Sequence, residues 1–441
     1  MVPVWIGRQS SPTIKAIPIT LQRTTIEGSG HLGRTDHTPC PVPHDLDATT
    51  IRAARTWRGV MVMLTAALAL PCSSCVYARI FYYNVPSLAA ANYFDHRPVE
   101  ASPHPVPFER RRDQATFPMR QSRSATYGTF EDLVAKNDTR ALLVLHHDVV
   151  VYERYFGGVT AESRLPCFSM SKTFAAVLIG CAQQDGLFSS VQQHLVDFVP
   201  ALWSRPGYSE ITLEHLLRMT SGIDFEEESV SGAVLYYATD LRSWTHTFNV
   251  TSTPGAHYQY GSINVQLLWE ALTPRLAQRT VASYFQERLW KVLGAERPAM
   301  WDLDSAESGI EKLSGGLSAT VSDFARLGVL FQHHGRFQDR AVISAQWVHD
   351  TLAEDPVAGV VHTTDGAVRR GRYQWFWTLD GRCYFAKGYN GQYIFVDRDR
   401  DVVVARFGEG YGDVDWTALF EDMAASLERS APPSDRVAGA D

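Results

Sequence analysis

The sequence contains little lysine and no long basic run, and this shortage excludes one large class of function. Only six of the 441 residues are lysine, no run of five or more basic residues occurs, and the formal net charge is −7. Proteins that bind nucleic acid concentrate basic side chains on one surface. The composition therefore predicts no nucleic-acid partner.

The spacing of the cysteine and histidine residues does not indicate a metal centre. Among the six cysteines, only Cys72 and Cys75 have the spacing of a paired-thiolate site. The histidine pairs at 146–147 and 333–334 fall in predicted turns, where solvated side chains are commoner than metal ligands. We predict neither a metal nor another cofactor. Buried, unpaired thiols are expected at Cys167, Cys181 and Cys383.

Long hydrophobic runs are also missing. The most apolar segment, residues 59–71, has thirteen residues, follows three arginines and precedes small residues. That length is too short for a comfortable membrane span, but the order of its parts is typical of a bacterial export signal. We therefore predict export to the periplasm or cell envelope. Residues 51–75 would be the signal, and residues 1–50 a disordered or spurious extension.

Cys75 follows two serines at the end of this signal and is a candidate for lipid modification after cleavage. A lipid chain would attach the protein to a membrane surface. A soluble periplasmic protein and a short uncleaved anchor are the alternatives. Residues 76–124 are predicted to form an extended lead-in, and residues 429–441 a disordered tail.

The pattern of a folded domain covers residues 125–428. Runs of β-branched and aromatic residues at 141–145 and 149–156, separated by a turn, predict a hairpin. A helix is predicted at 172–184, ending at Asp185-Gly186, and a second one is predicted to be capped by Ser322. Three further strands and a closing helix are expected at 373–379, 383–387, 393–396 with 401–407, and 414–427.

The order of these elements indicates the fold class. Strands lie at both ends of the domain, and residues 187–300 between them contain mainly helical patterns. Such an order predicts an α+β fold with an antiparallel sheet, flanking helices and an inserted helical region. The aromatic cluster at 373–377 is expected in the sheet core, with part of it lining a pocket. The acidic run at 224–228 is expected to face solvent.

Ser169 and Lys172 stand at the start of the predicted 172–184 helix. Residues three apart share a helix face, so hydroxyl and amine can touch. A serine needs a neighbouring base, and a lysine serves as one only where burial or positive charge favours its neutral form. The backbone N–H of Ser169 would also suit an oxyanion. On these residues alone, a surface helix start with a solvated lysine remains an alternative.

Two further segments could supply a proton relay and a second oxyanion donor for Ser169. Tyr260 lies on a loop entering an apolar helix, and a phenol there can relay protons; packing in the core beside Tyr258 is the alternative. Gly388 interrupts a strand, which usually marks close approach by a ligand or another segment. The N–H of Tyr389 could then complete an oxyanion hole, the alternative being a simple hairpin turn.

Five blocks in this order carry a family resemblance. Residues 168–174, 211–222, Tyr260, 315–328 and 388–392 resemble the β-lactamase-related serine hydrolases, particularly the branch of 6-aminohexanoate-dimer hydrolase. The resemblance spans roughly residues 125–428. It implies a β-lactamase/transpeptidase-like fold, no metal, and acyl-enzyme chemistry on amides or esters.

The resemblance also implies roles for individual residues. Ser169 would be the nucleophile, Lys172 its base partner and Tyr260 the proton relay. The oxyanion and substrate-binding positions would be Ser169, Gly388, Tyr389, Ser262, Asn264 and Gln392.

One departure from the family pattern bears on substrate choice. Ala386 replaces the strand lysine of β-lactamases, and Lys387 is a doubtful substitute because neighbouring strand residues point to opposite faces. We therefore predict an exported serine hydrolase that cleaves a small-molecule amide or ester. A penicillin-binding peptidase or β-lactamase is the alternative enzyme. A catalytically silent binding protein on the same fold is the alternative outside enzymes.

Overall fold

The computed structural model describes residues 76–83, 85–119, 126–363 and 366–429. The predicted export signal with Cys75, the 1–50 extension and the tail beyond residue 429 lie outside these ranges. Among the helices within them, none has the length and apolar character needed to cross a membrane.

The strands of the described residues, in chain order, are β1 (His96–Val99), β2 (Thr139–His146), β3 (Val149–Tyr155), β4 (Leu165–Pro166), β5 (Ala299–Asp302), β6 (Leu317–Ala319), β7 (Arg336–Phe337), β8 (Arg340–Ala341), β9 (Val360–Thr363), β10 (Gly366–Arg370), β11 (Phe376–Trp377), β12 (Cys383–Gly388), β13 (Gln392–Asp397) and β14 (Val402–Gly408). The α-helices are α1 (Val76–Tyr83), α2 (Phe130–Lys136), α3 (Ser171–Gln184), α4 (Leu213–Arg218), α5 (Val230–Tyr237), α6 (Leu241–Thr245), α7 (Ser262–Leu272), α8 (Val281–Phe285), α9 (Val321–Gln332), α10 (Ala345–Leu352) and α11 (Trp416–Arg429).

Short 3₁₀ turns connect several of these elements. They are Leu88–Asn92, Phe168–Met170, Leu195–Asp197, Pro200–Leu202, Tyr208–Glu210 and Thr273–Arg275, and a π turn covers Gln286–Trp290.

An antiparallel sheet of eight strands, in the order β3-β2-β14-β13-β12-β11-β10-β9, forms the middle layer. Helices α2 and α11 cover one face of this sheet, and α3 and α9 cover the other. Because both faces are covered, all seven residues of β14 and all six residues of β13 are buried, and both strands carry hydrophobic side chains on both faces. The α+β prediction is confirmed.

The predicted hairpin is β2–β3. Its two turn residues, His147 and Asp148, both have a left-handed backbone, with φ of 52° and 61°. Two consecutive residues of this kind match the right-handed twist of the strands that they join. A register shift at Val144/Leu145 locally disrupts the pairing of the strands.

Helix α3 is hydrophobic around its whole circumference because it is enclosed. Twelve of its fourteen residues are buried between the sheet and the helical region. It ends where predicted: Asp185 caps it, and Gly186 follows with a φ of 75°. In contrast, the predicted cap at Ser322 is wrong. The hydroxyl of Thr320 accepts the N–H of Asp323 and begins α9 one residue before Ser322.

The segment before the domain is more structured than predicted. Residues 76–124 contain α1, a 3₁₀ turn and β1 rather than an extended lead-in throughout. Strand β1 pairs with β5 in a second antiparallel sheet, of order β1-β5-β6-β4. The predicted strand at 373–379 is reduced to β11, and the neighbouring β9 and β10 were not predicted. Helices α4–α8 occupy the predicted insertion.

Candidate active site

The chain adopts a strained turn directly before Ser169. Phe168 has a φ of 46°, a left-handed conformation that costs a bulky residue roughly 1–3 kcal/mol. Its buried ring contacts the ring of Tyr389 edge to face at 5.9 Å, which fixes the turn. Ser169 is half-buried, whereas Phe168 and Met170 on either side are buried. The strained turn therefore leaves the serine as the accessible residue of this segment.

Lys172 lies one turn along, in the first turn of α3. Its Nζ donates to Ser169 Oγ at 2.9 Å and to the carbonyl oxygen of Ser314 at 2.8 Å. Only 2% of Lys172 is exposed. A buried amine with two oxygen partners is held in one place, so it can exchange a proton with the serine at a fixed distance.

Ser314 was not among the predicted site residues. It acts through its backbone carbonyl, which has no side-chain signature. The only signal in the sequence was the double glycine that follows it, at the start of the 315–328 block. An added Cβ on Gly316 would lie 2.9 Å from side-chain atoms of both Asp302 and Lys312. The glycine therefore permits the tight turn that presents the Ser314 carbonyl.

Tyr260 approaches Lys172 from the helical region. The Lys172 Nζ lies 5.2 Å from the centroid of the half-buried Tyr260 ring. The Tyr260 ring also packs against the main hydrophobic core, and its hydroxyl makes no hydrogen bond within the described residues. The loop is anchored on the 211–222 block, because Gln259 N donates to Met219 O at 2.9 Å and Gly255 N donates to Thr220 O at 2.7 Å. Two of the five sequence blocks thus meet here.

The end of strand β12 lies against the turn that carries Ser169. An added Cβ on Gly388 would lie 2.2 Å from the carbonyl oxygen of Cys167. The close approach predicted from this glycine is therefore made by another chain segment. It places the backbone of Tyr389 beside the Ser169 turn.

Strand β12 presents different side chains to its two faces. Ala386 is fully buried in the same core as Cys167 and Met170. Lys387 projects to the other side, where its Nζ lies 4.8 Å from the Tyr411 ring centroid and 5.9 Å from that of Tyr393. Strand alternation therefore keeps Lys387 away from the serine, as expected.

Three predicted substrate-binding residues make hydrogen bonds within the protein. Gln392 is fully buried, and its amide exchanges two hydrogen bonds with the backbone of Gly408, at 2.8 and 3.0 Å. The sheet therefore uses both ends of the amide, and the predicted role of Gln392 in binding substrate stays a prediction. Asn264 is buried within α7 and donates to Gly261 O at 3.1 Å. Ser262 donates through Oγ and backbone N to Glu227, at 2.5 and 2.6 Å.

Glu227 departs from the prediction that its acidic run faces solvent. Its neighbours Asp224, Glu226 and Glu228 are exposed, but Glu227 is half-buried at the first turn of α7. A carboxylate at this position satisfies backbone donors and the positive end of the helix dipole. Glu227 therefore fixes the start of the helix that follows Tyr260.

The three cysteines within the described ranges are as predicted. Cys167, Cys181 and Cys383 are buried and unpaired. Burial raises the pKa of the Cys167 thiol to about 12, so the thiol beside Ser169 stays protonated and unreactive at neutral pH.

Within the part of the chain that the structure describes, one group outside the Ser169 site has ligand atoms close enough for a metal. Atoms of Asp148, His333 and Asp401 lie within 4.8 Å of one another. The His333 Nε2 is 2.8 Å from Asp148, and the His147 Nδ1 is 2.9 Å from Asp401. Because these ion pairs account for the proximity of the side chains, the group needs no metal to explain it.

Aromatic side chains of α1, its following segment and α5 lie near the end of β12. Tyr237 stacks on Tyr83 at 6.0 Å, and Tyr83 stacks on Tyr93 at 4.4 Å. Asn390, in the turn after β12, donates to the carbonyl oxygen of Pro86 at 3.0 Å. Part of the predicted lead-in therefore reaches the segment next to Tyr389 and adds an aromatic cluster there.

Comparisons with known proteins agree with this arrangement. The profile of the beta-lactamase family matches residues 129–423. The 6-aminohexanoate-dimer hydrolase of Paenarthrobacter ureafaciens is 26% identical over 325 residues, which is 68% of this chain and 80% of that protein.

Solved structures show the same fold. A Bacillus anthracis protein, provisionally assigned as a 6-aminohexanoate-dimer hydrolase, superposes with a TM-score of 0.66 at 19% identity, over 80% of this chain and 95% of that one. A family VIII carboxylesterase superposes with a TM-score of 0.53 at 14% identity, over 71% and 99%. The family match, the shared fold and the ordered blocks together show that the chain belongs to the beta-lactamase family, as a β-lactamase-related serine hydrolase.

Proposed function

We propose that the protein hydrolyses amide or ester bonds through an acyl-enzyme on Ser169. The observation that carries this proposal is the 2.9 Å contact between the buried Lys172 Nζ and the Ser169 Oγ. The relative that shares 26% identity is named a 6-aminohexanoate-dimer hydrolase, which supports a linear amide as the substrate class.

In the proposed mechanism, Ser169 Oγ attacks the substrate carbonyl carbon while its proton passes to the Nζ of Lys172. The oxyanion that forms is held by the backbone N–H groups of Ser169 and Tyr389. The carbon–nitrogen or carbon–oxygen bond then breaks, and the leaving group receives a proton from Lys172 or through Tyr260. A water molecule attacks the acyl-enzyme along the reverse route, which releases the acid and restores the serine.

The Ser314 carbonyl has a role in this cycle. After the first proton transfer, Lys172 is an ammonium in a buried position. The Ser314 oxygen, 2.8 Å from Nζ, accepts a hydrogen bond from this charged form and lowers its cost. Because this carbonyl already contacts Nζ before the reaction begins, the site does not have to rearrange in order to stabilise the ammonium.

Two features favour a linear amide or ester over a β-lactam. Strand β12 presents Ala386, not a cation, to the core on the Ser169 side. A fixed cation at this point is what a β-lactam carboxylate would need. The aromatic cluster of Tyr83, Tyr93 and Tyr237 instead supplies apolar surface near the end of β12.

The decisive experiment uses Ser169→Ala. Ser189→Ala is its matched control, because Ser189 is exposed and lies beyond the C-terminal end of α3, whereas Ser169 precedes the start of this helix. The wild type and the control are expected to hydrolyse a short-chain p-nitrophenyl ester and to be labelled by a fluorophosphonate probe. Ser169→Ala should lose both properties while keeping its thermal midpoint. Turnover or labelling that survives in Ser169→Ala would refute the proposal.

The same panel separates the alternatives. Fluorescent penicillin that remains bound after washing would favour a penicillin-binding peptidase or β-lactamase. A wild-type protein that is folded but inert toward amides, esters and the probe would favour a silent binding protein.

We also propose export and attachment to the cell envelope. The described chain begins with α1, whose Phe81 and Tyr82 are 76% and 81% exposed, directly after the predicted signal. Aromatic side chains of this kind are favoured at membrane interfaces.

Cell fractionation tests the proposal. The wild type should be found with membranes, and Cys75→Ser should move to the soluble fraction if a lipid on Cys75 is the anchor. A wild-type protein found in the cytosol would refute export.

A further inference from the structure

A second unusual group lies behind the loop that carries Tyr260. Arg370, the last residue of β10, is fully buried. Its Nε, Nη1 and Nη2 atoms have no hydrogen-bond partner among the described residues. A guanidinium offers five N–H donors and stays charged at all accessible pH values. Burying such a group without a partner costs several kcal/mol, so this position requires an explanation.

Aromatic rings cover the faces of the Arg370 side chain. Its Cζ lies 4.6 Å from the centroid of the Tyr258 ring and 5.7 Å from that of the Phe376 ring. Ring faces attract a cation, but they do not accept the hydrogen bonds that a guanidinium directs along its plane. The two rings therefore leave the in-plane donors of Arg370 to another partner.

Asp355, whose backbone contacts that of Arg370, has a carboxylate that is already fully used. Asp355 Oδ1 and Oδ2 accept from Arg218 at 2.8 and 3.0 Å, and Oδ1 also accepts the N–H groups of Val357 and Ala358. Asp355 meets Arg370 through the backbone, because its N–H donates to the Arg370 carbonyl at 2.8 Å. The Asp355 carboxylate is thus committed to Arg218 and to two backbone N–H groups, and among the described residues the Arg370 guanidinium has no carboxylate partner.

We propose that the Arg370 guanidinium is an anion-binding site that holds one small monovalent anion, a halide or a carboxylate. One such ion would neutralise the buried charge of Arg370 and accept its in-plane donors. The fork of a guanidinium matches a carboxylate well, and the complete burial of Arg370 excludes a bulky anion. Water could accept the same hydrogen bonds but would leave the charge uncompensated.

The site would also position the Tyr260 loop. Tyr258, which covers Arg370, precedes Tyr260 by two residues, and Tyr260 covers Lys172. An anion that fixes Arg370 would thereby fix one end of this loop. Arg370 is thus a positioning residue for the loop. Anion binding itself does not depend on the proposed hydrolase function.

The first test measures thermal unfolding of the full chain, prepared without halide or small carboxylate. Sodium gluconate keeps the ionic strength constant while chloride, bromide, formate or acetate replaces it. The thermal midpoint of the wild type and of Arg382→Met, an exposed-arginine control, should rise saturably by a few degrees with halide or with formate and acetate. Arg370→Met should show no such rise. The thermal midpoint of Arg370→Lys should respond weakly, because lysine keeps the positive charge but lacks the planar, forked N–H donors of the guanidinium.

The second test locates the ion without any variant, so it remains valid should Arg370→Met fail to fold. In crystals soaked with bromide, anomalous scattering is expected at the plane of the Arg370 guanidinium. A response to halides alone identifies a halide site, and a response to formate and acetate alone identifies a carboxylate site. The absence of both a midpoint response and a bromide peak would mean that water fills the site and would overturn the proposal.

Discussion

Gly388 and Cys167 lie so close that a methyl group on the glycine would be 2.2 Å from the cysteine carbonyl oxygen. This contact joins the end of β12 to the turn before Ser169, and it sets the separation of the two backbone segments proposed to form the oxyanion hole. The proposed catalytic geometry therefore depends on a backbone contact between residues far apart in the sequence.

The first prediction concerns this contact. Gly388→Ala should force the strand end away from the Ser169 turn, since neither backbone can yield locally. We expect a loss of roughly 1–3 kcal/mol in the free energy of unfolding and a loss of about 100-fold or more in kcat/KM for the ester. Chemical denaturation and steady-state kinetics measure the two effects.

Gly381→Ala is the control for Gly388→Ala. Gly381 has a left-handed φ of 72° but open space around it, so its substitution should cost roughly 1–2 kcal/mol without loss of kcat/KM at a temperature where the variant is folded. Equal activity losses in the two variants would show that the Gly388 effect is general destabilisation.

The second prediction separates the ring of Tyr260 from its hydroxyl. Tyr260→Phe keeps the ring over Lys172 and removes the group proposed to relay protons. We expect kcat to fall by about 10²- to 10⁴-fold with little change in thermal midpoint. Tyr258→Phe, two residues earlier, should keep kcat within a few-fold. Wild-type turnover by Tyr260→Phe would exclude its hydroxyl from the mechanism.

The third prediction concerns Glu227. Glu227→Gln removes the charge that accepts the Ser262 N–H and hydroxyl at the start of α7. The loss of this cap should cost about 1 kcal/mol of unfolding free energy and should lower kcat several-fold, because the Tyr260 loop enters the same helix. Glu228→Gln, at an exposed neighbour, should change neither quantity. Equal stability of the two variants would contradict this assignment.

The fourth prediction is a pH dependence of stability. Burial lowers the pKa of Lys312 from its ordinary 10.5 to about 7, and its Nζ donates to the carbonyls of Tyr236 and Ala238 at the end of α5. Between these two pKa values the unfolded chain binds the proton more tightly than the folded chain. This group's contribution to stability should therefore increase with pH, by about 1.4 kcal/mol per unit at most, from near pH 7 upward.

Lys312→Met provides the comparison. The difference in unfolding free energy between wild type and Lys312→Met should change by about 2 kcal/mol between pH 7 and pH 9, in favour of the wild type at the higher pH. Urea denaturation at matched ionic strength measures it. A difference that is constant across this range would mean that Lys312 has no lowered pKa in the folded protein.

The predictions made from sequence succeeded where the signal was local. Ser169 and Lys172 are three residues apart on a chain that turns into a helix, so their contact follows from helical geometry. The hairpin β2–β3 and the helix α3 have strong periodic patterns and clear turn residues. In contrast, strands of two to four residues, such as β4 and β6, are too short to show a period.

The amino-acid sequence by itself determined the family, the fold class, and the Ser169–Lys172 pair, because short-range geometry and ordered motifs carry that information. Only the tertiary structure decided that the Ser314 carbonyl holds Lys172, that Glu227 caps the helix after Tyr260, and that Gln392 belongs to the sheet. The physical reason is that backbone carbonyls have no side-chain signature. Likewise, the partner of a glutamate or a glutamine is chosen by packing between segments that are distant along the chain.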